Sequence, residues 1–131
     1  VLHGVNDIIH PDGVNPCRPW SDLPTAEQLI DGLRKYIEIA HRCGKKIYVS
    51  TITPINGWST YLPLREELRG KVNEWIRTSG EADGVIDFAA AVCSADDPTH
   101  LDPACDSGDH LHPSLEGARR MAESIPDSML D

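Results

Sequence analysis

The strongest constraint on the fold is an alternation of two hydrophobic periods along the chain. Three short runs, Val1–Gly4, Lys46–Thr53 ("KIYVSTIT") and Gly84–Phe88 ("GVIDF"), are rich in β-branched or aromatic residues and read as buried strands. Amphipathic stretches separate and follow them. The first is predicted to begin at Thr25, whose hydroxyl can cap a helix, with Gln28 three residues on to close a capping box. Leu29, Leu33, Tyr36, Ile37 and Ala40 then recur at helical spacing, and Gly44 ends the stretch. The second follows Pro63, carries the stripe Leu64, Leu68, Val72, Trp75 and Ile76, and stops at Gly80. The third starts at Ser114, with Ala118, Met121, Ala122 and Ile125 predicted as its buried face, and Pro126 stops it.

Strand, helix, strand, helix, strand, helix is the order that gives parallel strands joined by right-handed crossovers, an α/β layered domain. In such sheets, functional groups gather beyond the carboxyl ends of the strands. That places Asn6 and Asp7, the loop Thr53–Tyr61 and the polar, irregular segment Ala89–Pro113 along one edge. The first predicted strand begins at residue 1, whereas parallel strands normally have neighbours on both sides, and an open apolar edge invites pairing. Residues 1–131 are therefore expected to form the carboxyl-terminal part of a single domain, with amino-terminal strands missing. The first strand is expected to pair with that missing segment or with a second copy of the chain.

Composition narrows the partners. Lys plus Arg number 12 and Asp plus Glu 21, a formal net charge of −9, so no basic stripe exists for nucleic acid or for an anionic membrane surface. No apolar run approaches the roughly 18 residues of a membrane span. The four cysteines, Cys17, Cys43, Cys93 and Cys105, form no CxxC pair, which argues against a zinc ribbon. Cys93 and Cys105 flank one irregular loop and could form a disulfide; buried free thiols are the alternative.

The chemistry concentrates in "GDHLHPS", Gly108 to Ser114. In Asp109-x-x-His112 the spacing lets the carboxylate accept the imidazole Nδ1–H, which orients the ring, fixes its tautomer and stabilises the imidazolium formed when Nε2 takes a proton. Such a pair is the base half of a nucleophilic hydrolase and needs a hydroxyl or thiol to activate. Asn6, just after the first run, can donate its amide N–H to a developing oxyanion. Asp7 reads as structural, because a negative charge there would oppose that chemistry. A competing reading is a metal-binding module, since His100, Asp102, Cys105, Asp106, Asp109, His110 and His112 lie close together and offer N, O and S ligands. That set lacks the repeated spacing of structural zinc sites, and His110 reads as a cleft wall or a surface residue.

"LHGVND" resembles the third conserved block of the SGNH, or GDSL, hydrolases, Gly-x-Asn-Asp, with Gly4, Asn6 and Asp7 matching. "SGDHLHPSLEG" resembles the fifth, Asp-x-x-His-Pro, with Asp109, His112 and Pro113 matching. The wording of the chain is similar to the acetylxylan-esterase-like branch. The resemblance implies a three-layer α/β/α flavodoxin-like fold and a serine esterase or lipase acting on carboxylic esters, including acetylated carbohydrate, without a cofactor. It also implies the roles oxyanion donor for Asn6, orienting acid for Asp109 and general base for His112. The family's nucleophile block, Gly-Asp-Ser, is absent here, and Ser50, Ser59 and Ser107 are poorly placed to replace it. The chain alone is therefore expected to be inactive, either as a fragment or as an interaction domain. The cysteines and the resemblance lean toward secretion.

Overall fold

A computed structural model describes residues 1–130. It is an α/β fold built on a parallel sheet. The elements are α1 (Val5–Ile9), α2 (Ala26–Arg42), β1 (Tyr48–Ser50), α3 (Pro63–Thr78), β2 (Gly84–Ile86), α4 (Phe88–Val92) and α5 (Leu115–Glu123), with short 3₁₀ turns at Trp20–Asp22 and Asp127–Met129. β1 and β2 run parallel, with Tyr48 opposite Gly84, Val49 opposite Val85 and Ser50 opposite Ile86. Val1 lies along the other edge of β1: its amino group donates to the Tyr48 carbonyl, and its own carbonyl accepts from Ser50 N–H at 2.9 Å.

The predicted first strand is thus a single rung. Gly4, at φ 109°, turns the chain after it, and α1 begins at once. That conformation is strained for a side chain, and a Cβ there would also crowd Ile52 Cδ1 at 3.1 Å. Asn6 and Asp7, expected just beyond a strand, lie in the first turn of a five-residue helix.

α2 follows its sequence signals closely. Thr25 Oγ1 accepts from Gln28 N–H at 3.2 Å, and Gln28 Oε1 accepts from Thr25 N–H at 2.8 Å, completing the capping box. Leu33 and Ile37 face the core, but Tyr36 is exposed. α3 is rotated relative to its predicted stripe: Leu64 is exposed, while Arg65, Arg69 and Asn73 join Leu68, Val72 and Ile76 in the interior. These three polar side chains are buried because carbonyls beneath α3 need donors. Both Arg65 Nη atoms donate, one to the Ile8 carbonyl and the other to that of Pro11, at the end of α1.

One apolar cluster joins α1 (Ile8, Ile9), α2, β1, α3 and the residues after β1 (Ile52, Ile55), and it includes Leu111 from the distal loop. A satellite cluster of Val92, Leu101 and Cys105 packs against Met121 of α5. Here the structure corrects a prediction: Ala118 and Ala122 of α5 face solvent, and Gly117 is the buried residue. The helix approaches so closely that a Cβ on Gly117 would sit 2.6 Å from the Cys105 carbonyl oxygen and 3.0 Å from Pro113 Cβ. Gly117→Ala should therefore destabilise the fold by about 2 kcal/mol through overpacking, despite alanine's better helix propensity. Urea unfolding checks this, and an unchanged or raised midpoint would refute it.

Candidate active site

The carboxyl end of β1 leads into a loop, residues 52–61, that is held from three sides. On the α3 side, Asn73 satisfies both polar groups of Ile52, accepting its N–H at 2.7 Å and donating to its carbonyl at 2.8 Å. Arg69 donates to the same carbonyl at 2.9 Å. On the α1 side, Thr60 Oγ1 donates to the Ile9 carbonyl at 2.7 Å. On the far side, Asn56 donates its backbone N–H to the Thr99 carbonyl at 3.1 Å and its side-chain amide to Thr99 Oγ1 at 2.9 Å. The loop thus links the helix bearing Asn6 to the segment bearing His112.

Within that segment, Asp109 folds the chain around itself. Its Oδ1 accepts N–H groups from Leu111 at 3.0 Å and His112 at 2.8 Å, and the Ser107 hydroxyl at 3.2 Å. Its Oδ2 lies 2.6 Å from His112 Nδ1. The imidazole contact first, then the backbone and hydroxyl donors, hold the Asp109 carboxyl well below the usual carboxylate range against a smaller opposing effect of burial. Leu111, between the two, is buried in the main core and anchors the turn. The Trp58 ring meets His112 edge-on, at 86° and 6.1 Å between centroids. With Nδ1 committed to the carboxylate, a neutral His112 presents Nε2 as a proton acceptor. The imidazole is largely exposed, so that nitrogen is open to a reacting group.

The depressed carboxyl makes Asp109 a source of acid sensitivity. Because its folded value lies below its unfolded one, its stabilisation is complete above the unfolded value of roughly 4 and is lost as pH falls from there toward the folded value. The melting-temperature gap between the wild type and Asp109→Asn should therefore narrow below about pH 4. A gap that stays constant through that range would refute this.

A second pair adjoins the first. Asp106 Oδ1 accepts N–H groups from Gly108 at 2.8 Å and His110 at 2.9 Å, and its Oδ2 lies 2.6 Å from His110 Nδ1. His110 has φ 64°, the left-handed region that side chains seldom adopt. The ring rests on Gly57, where a Cβ would fall 2.8 Å from His110 Cβ and Cγ.

Of the residues singled out from sequence, Asp109 and His112 are brought together as expected. Asn6 stands on α1, exposed, lining a separate shallow cleft of about 210 Å³ with His10, Cys17 and Arg18. Among the described residues its amide makes no hydrogen bond, to His112 or to any other group. Ser50 is buried and directed at the Val1 carbonyl, Ser59 is exposed, and Ser107 serves Asp109 rather than the imidazole. All four cysteines are free thiols, with Cys105 buried and Cys93 directed at the Ala90 carbonyl, so the Cys93–Cys105 disulfide is not formed. The metal-binding reading is not met either: among the described residues no three His, Cys, Asp or Glu side chains converge. The Asp106 and Asp109 carboxylates turn inward to backbone amides, and the Asp102 carboxylate is shared between the Ala104 N–H and Arg120.

Sequence reading missed the Asp106–His110 pair, whose signal was the doubled Asp–His spacing in "DSGDHLH". It also missed Asn73 and Arg65, for which no local signal exists.

The profile of the GDSL-like lipase/acylhydrolase family matches residues 1–120. Curated protein sequences give no match. Among solved structures, the chain is similar to a candidate acylhydrolase of Bacteroides fragilis, at 17% identity and TM-score 0.68, covering 99% of this chain and 60% of that one. It is likewise similar to a GDSL-like lipase of Bacteroides thetaiotaomicron, at 17% identity and TM-score 0.67, covering 99% and 61%. An acetyl-xylooligosaccharide esterase from Geobacillus, solved as a point mutant, matches at 21% identity and TM-score 0.63, covering 94% and 54%. The chain thus spans roughly 60% of the length of these relatives.

Proposed function

The chain belongs to the GDSL-like lipase/acylhydrolase family, and on that premise we propose that it is the carboxyl-terminal part of a serine esterase, supplying the base of the active site. The observation that carries this reading is the Asp109–His112 pair at 2.6 Å, with Nε2 left open. In the proposed reaction a serine hydroxyl from outside these residues attacks the ester carbonyl while its proton passes to His112 Nε2. Asp109 holds the ring in the required tautomer and stabilises the imidazolium. The imidazolium then protonates the departing alcohol, and water, activated by the same nitrogen, releases the acid from the acyl-serine.

Asn6 is the oxyanion donor in this scheme. Its amide is free of internal partners among the described residues, and its helix is tied to the His112 segment through Thr60, Asn56 and Trp58. Acetylated carbohydrate is the proposed substrate class, from the resemblance of the sequence to acetylxylan-esterase-like proteins. The exposed edge of Val1 and Leu2 is where the segment carrying the serine would add its strand to the sheet.

A fluorophosphonate probe tests the assignment. The protein that carries this chain should label at one serine outside residues 1–131, and the isolated chain should not label. Absence of labelling in that protein, or a label on Ser50, Ser59 or Ser107, would overturn it.

A further inference from the structure

Beside the His112 turn lies an open groove of about 460 Å³. Asp97, His100, Leu101, Pro103, Asp106 and His110 line it. It carries a repeated chemical device. His100 Nδ1 lies 3.0 Å from Asp97 Oδ2, and His110 Nδ1 lies 2.6 Å from Asp106 Oδ2. In each pair the carboxylate takes the Nδ1–H, so a neutral ring keeps Nε2 unprotonated, and both imidazoles are about half exposed. Two fixed imidazole acceptors on one groove, above the apolar floor of Leu101 and Pro103, suit a ligand that offers hydroxyl donors and carbon–hydrogen faces together. A saccharide has that chemistry, whereas a plain alkyl alcohol does not.

His110 is the more telling of the two. It occupies a left-handed position that glycine would fill without strain, and it is held there by Asp106 and by the bare surface of Gly57. Local strain kept in place by surrounding contacts is a feature that clusters at ligand sites. The groove is also coupled to the proposed active site. Gly57 underlies His110 while its neighbour Trp58 abuts His112, and Asn56 binds Thr99 beside His100.

We propose that this groove is the subsite for the alcohol portion of the substrate, that the alcohol is a saccharide, and that His100 and His110 accept its hydroxyls. The proposal rests on the esterase reading for its place in catalysis, but saccharide binding can be measured without turnover.

The test is titration of the chain with unacetylated xylotetraose, followed by the ring signals of individual histidines in NMR spectra. The His100 and His110 rings should shift and saturate together. His110→Gly, which suits the backbone and so keeps the turn, should weaken binding about tenfold, as loss of one hydroxyl contact does. In the protein that carries this chain, the same variant should lower kcat/KM for an acetylated xylo-oligosaccharide more than for phenyl acetate. Rings that stay unmoved, or His110→Gly binding as tightly as the wild type, would overturn the subsite even if esterase activity is present. Ring shifts in a protein that hydrolyses neither ester would support the subsite while refuting the esterase reading.

Discussion

Replacing His112 with alanine in the protein that carries this chain is expected to lower kcat for ester hydrolysis by roughly 10⁴-fold or more, with little change in KM. The size follows from what the ring does in the proposed reaction: it takes the proton of the attacking hydroxyl, and it returns a proton to the leaving alcohol. No other group bonded to Asp109 can do both, since Ser107 and the surrounding N–H groups are donors to the carboxylate. Asp109→Asn should cost less than His112→Ala, because the base remains while its tautomer and orientation are lost. Initial rates for the three proteins settle this. Equal activity in His112→Ala would remove the basis of the mechanism.

The largest expected effect on stability belongs to Arg65. Arg65→Met should lower unfolding free energy by about 3 kcal/mol, because two buried carbonyls, those of Ile8 and Pro11, lose their donors together. For a chain of this size that is a fall in melting temperature of about 10 °C. The guanidinium is fully buried and lies 5.0 Å from the Trp20 ring centroid, and burial pulls its pKa down against the support of Asp12. Arg65→Lys should recover only part of the loss, since a single ammonium cannot reproduce the two-pronged geometry. Asn6 rides on the helix that these carbonyls end, so Arg65→Met should also reduce activity at temperatures where the protein is still folded. Thermal melts of the three proteins decide the first point; a Met variant as stable as the wild type would show that the carbonyls find other partners.

The contrast between Arg65 and α2 explains how much of this molecule could be read in advance. α2 announced itself because its signals are local: Thr25 and Gln28 satisfy each other, and its apolar spacing needs no outside information. The Asp109–His112 turn was legible for the same reason, with donor and acceptor three residues apart. Arg65, Arg69 and Asn73 look like the solvent face of a helix until the carbonyls of residues 8, 11 and 52 are known to lie beneath them. The strands were overextended in prediction, Lys46–Thr53 against Tyr48–Ser50, because side-chain bonds rather than ladder bonds take over at Ile52. α1 and α4, five residues each, are too short to carry a period. The exposed face of α5 was misjudged because alanines report propensity more than burial.

The tight folding of Asp109 and His112 around each other has an evolutionary and practical consequence. The acid, the base and the amides that fix them come from a single turn of the chain, which meets the body of the fold through the Leu111 anchor, the Trp58 edge and the seat of His110 on Gly57. Such a dyad is prefabricated: its internal geometry does not wait on the rest of an active site. In the proposed reaction, what would remain to be assembled is the position of Nε2 relative to a nucleophile and to the oxyanion donor. That makes the domain a natural candidate for complementation in trans, in which two separately made pieces recover catalysis by docking, and it makes the docking step rather than the dyad the target for engineering control.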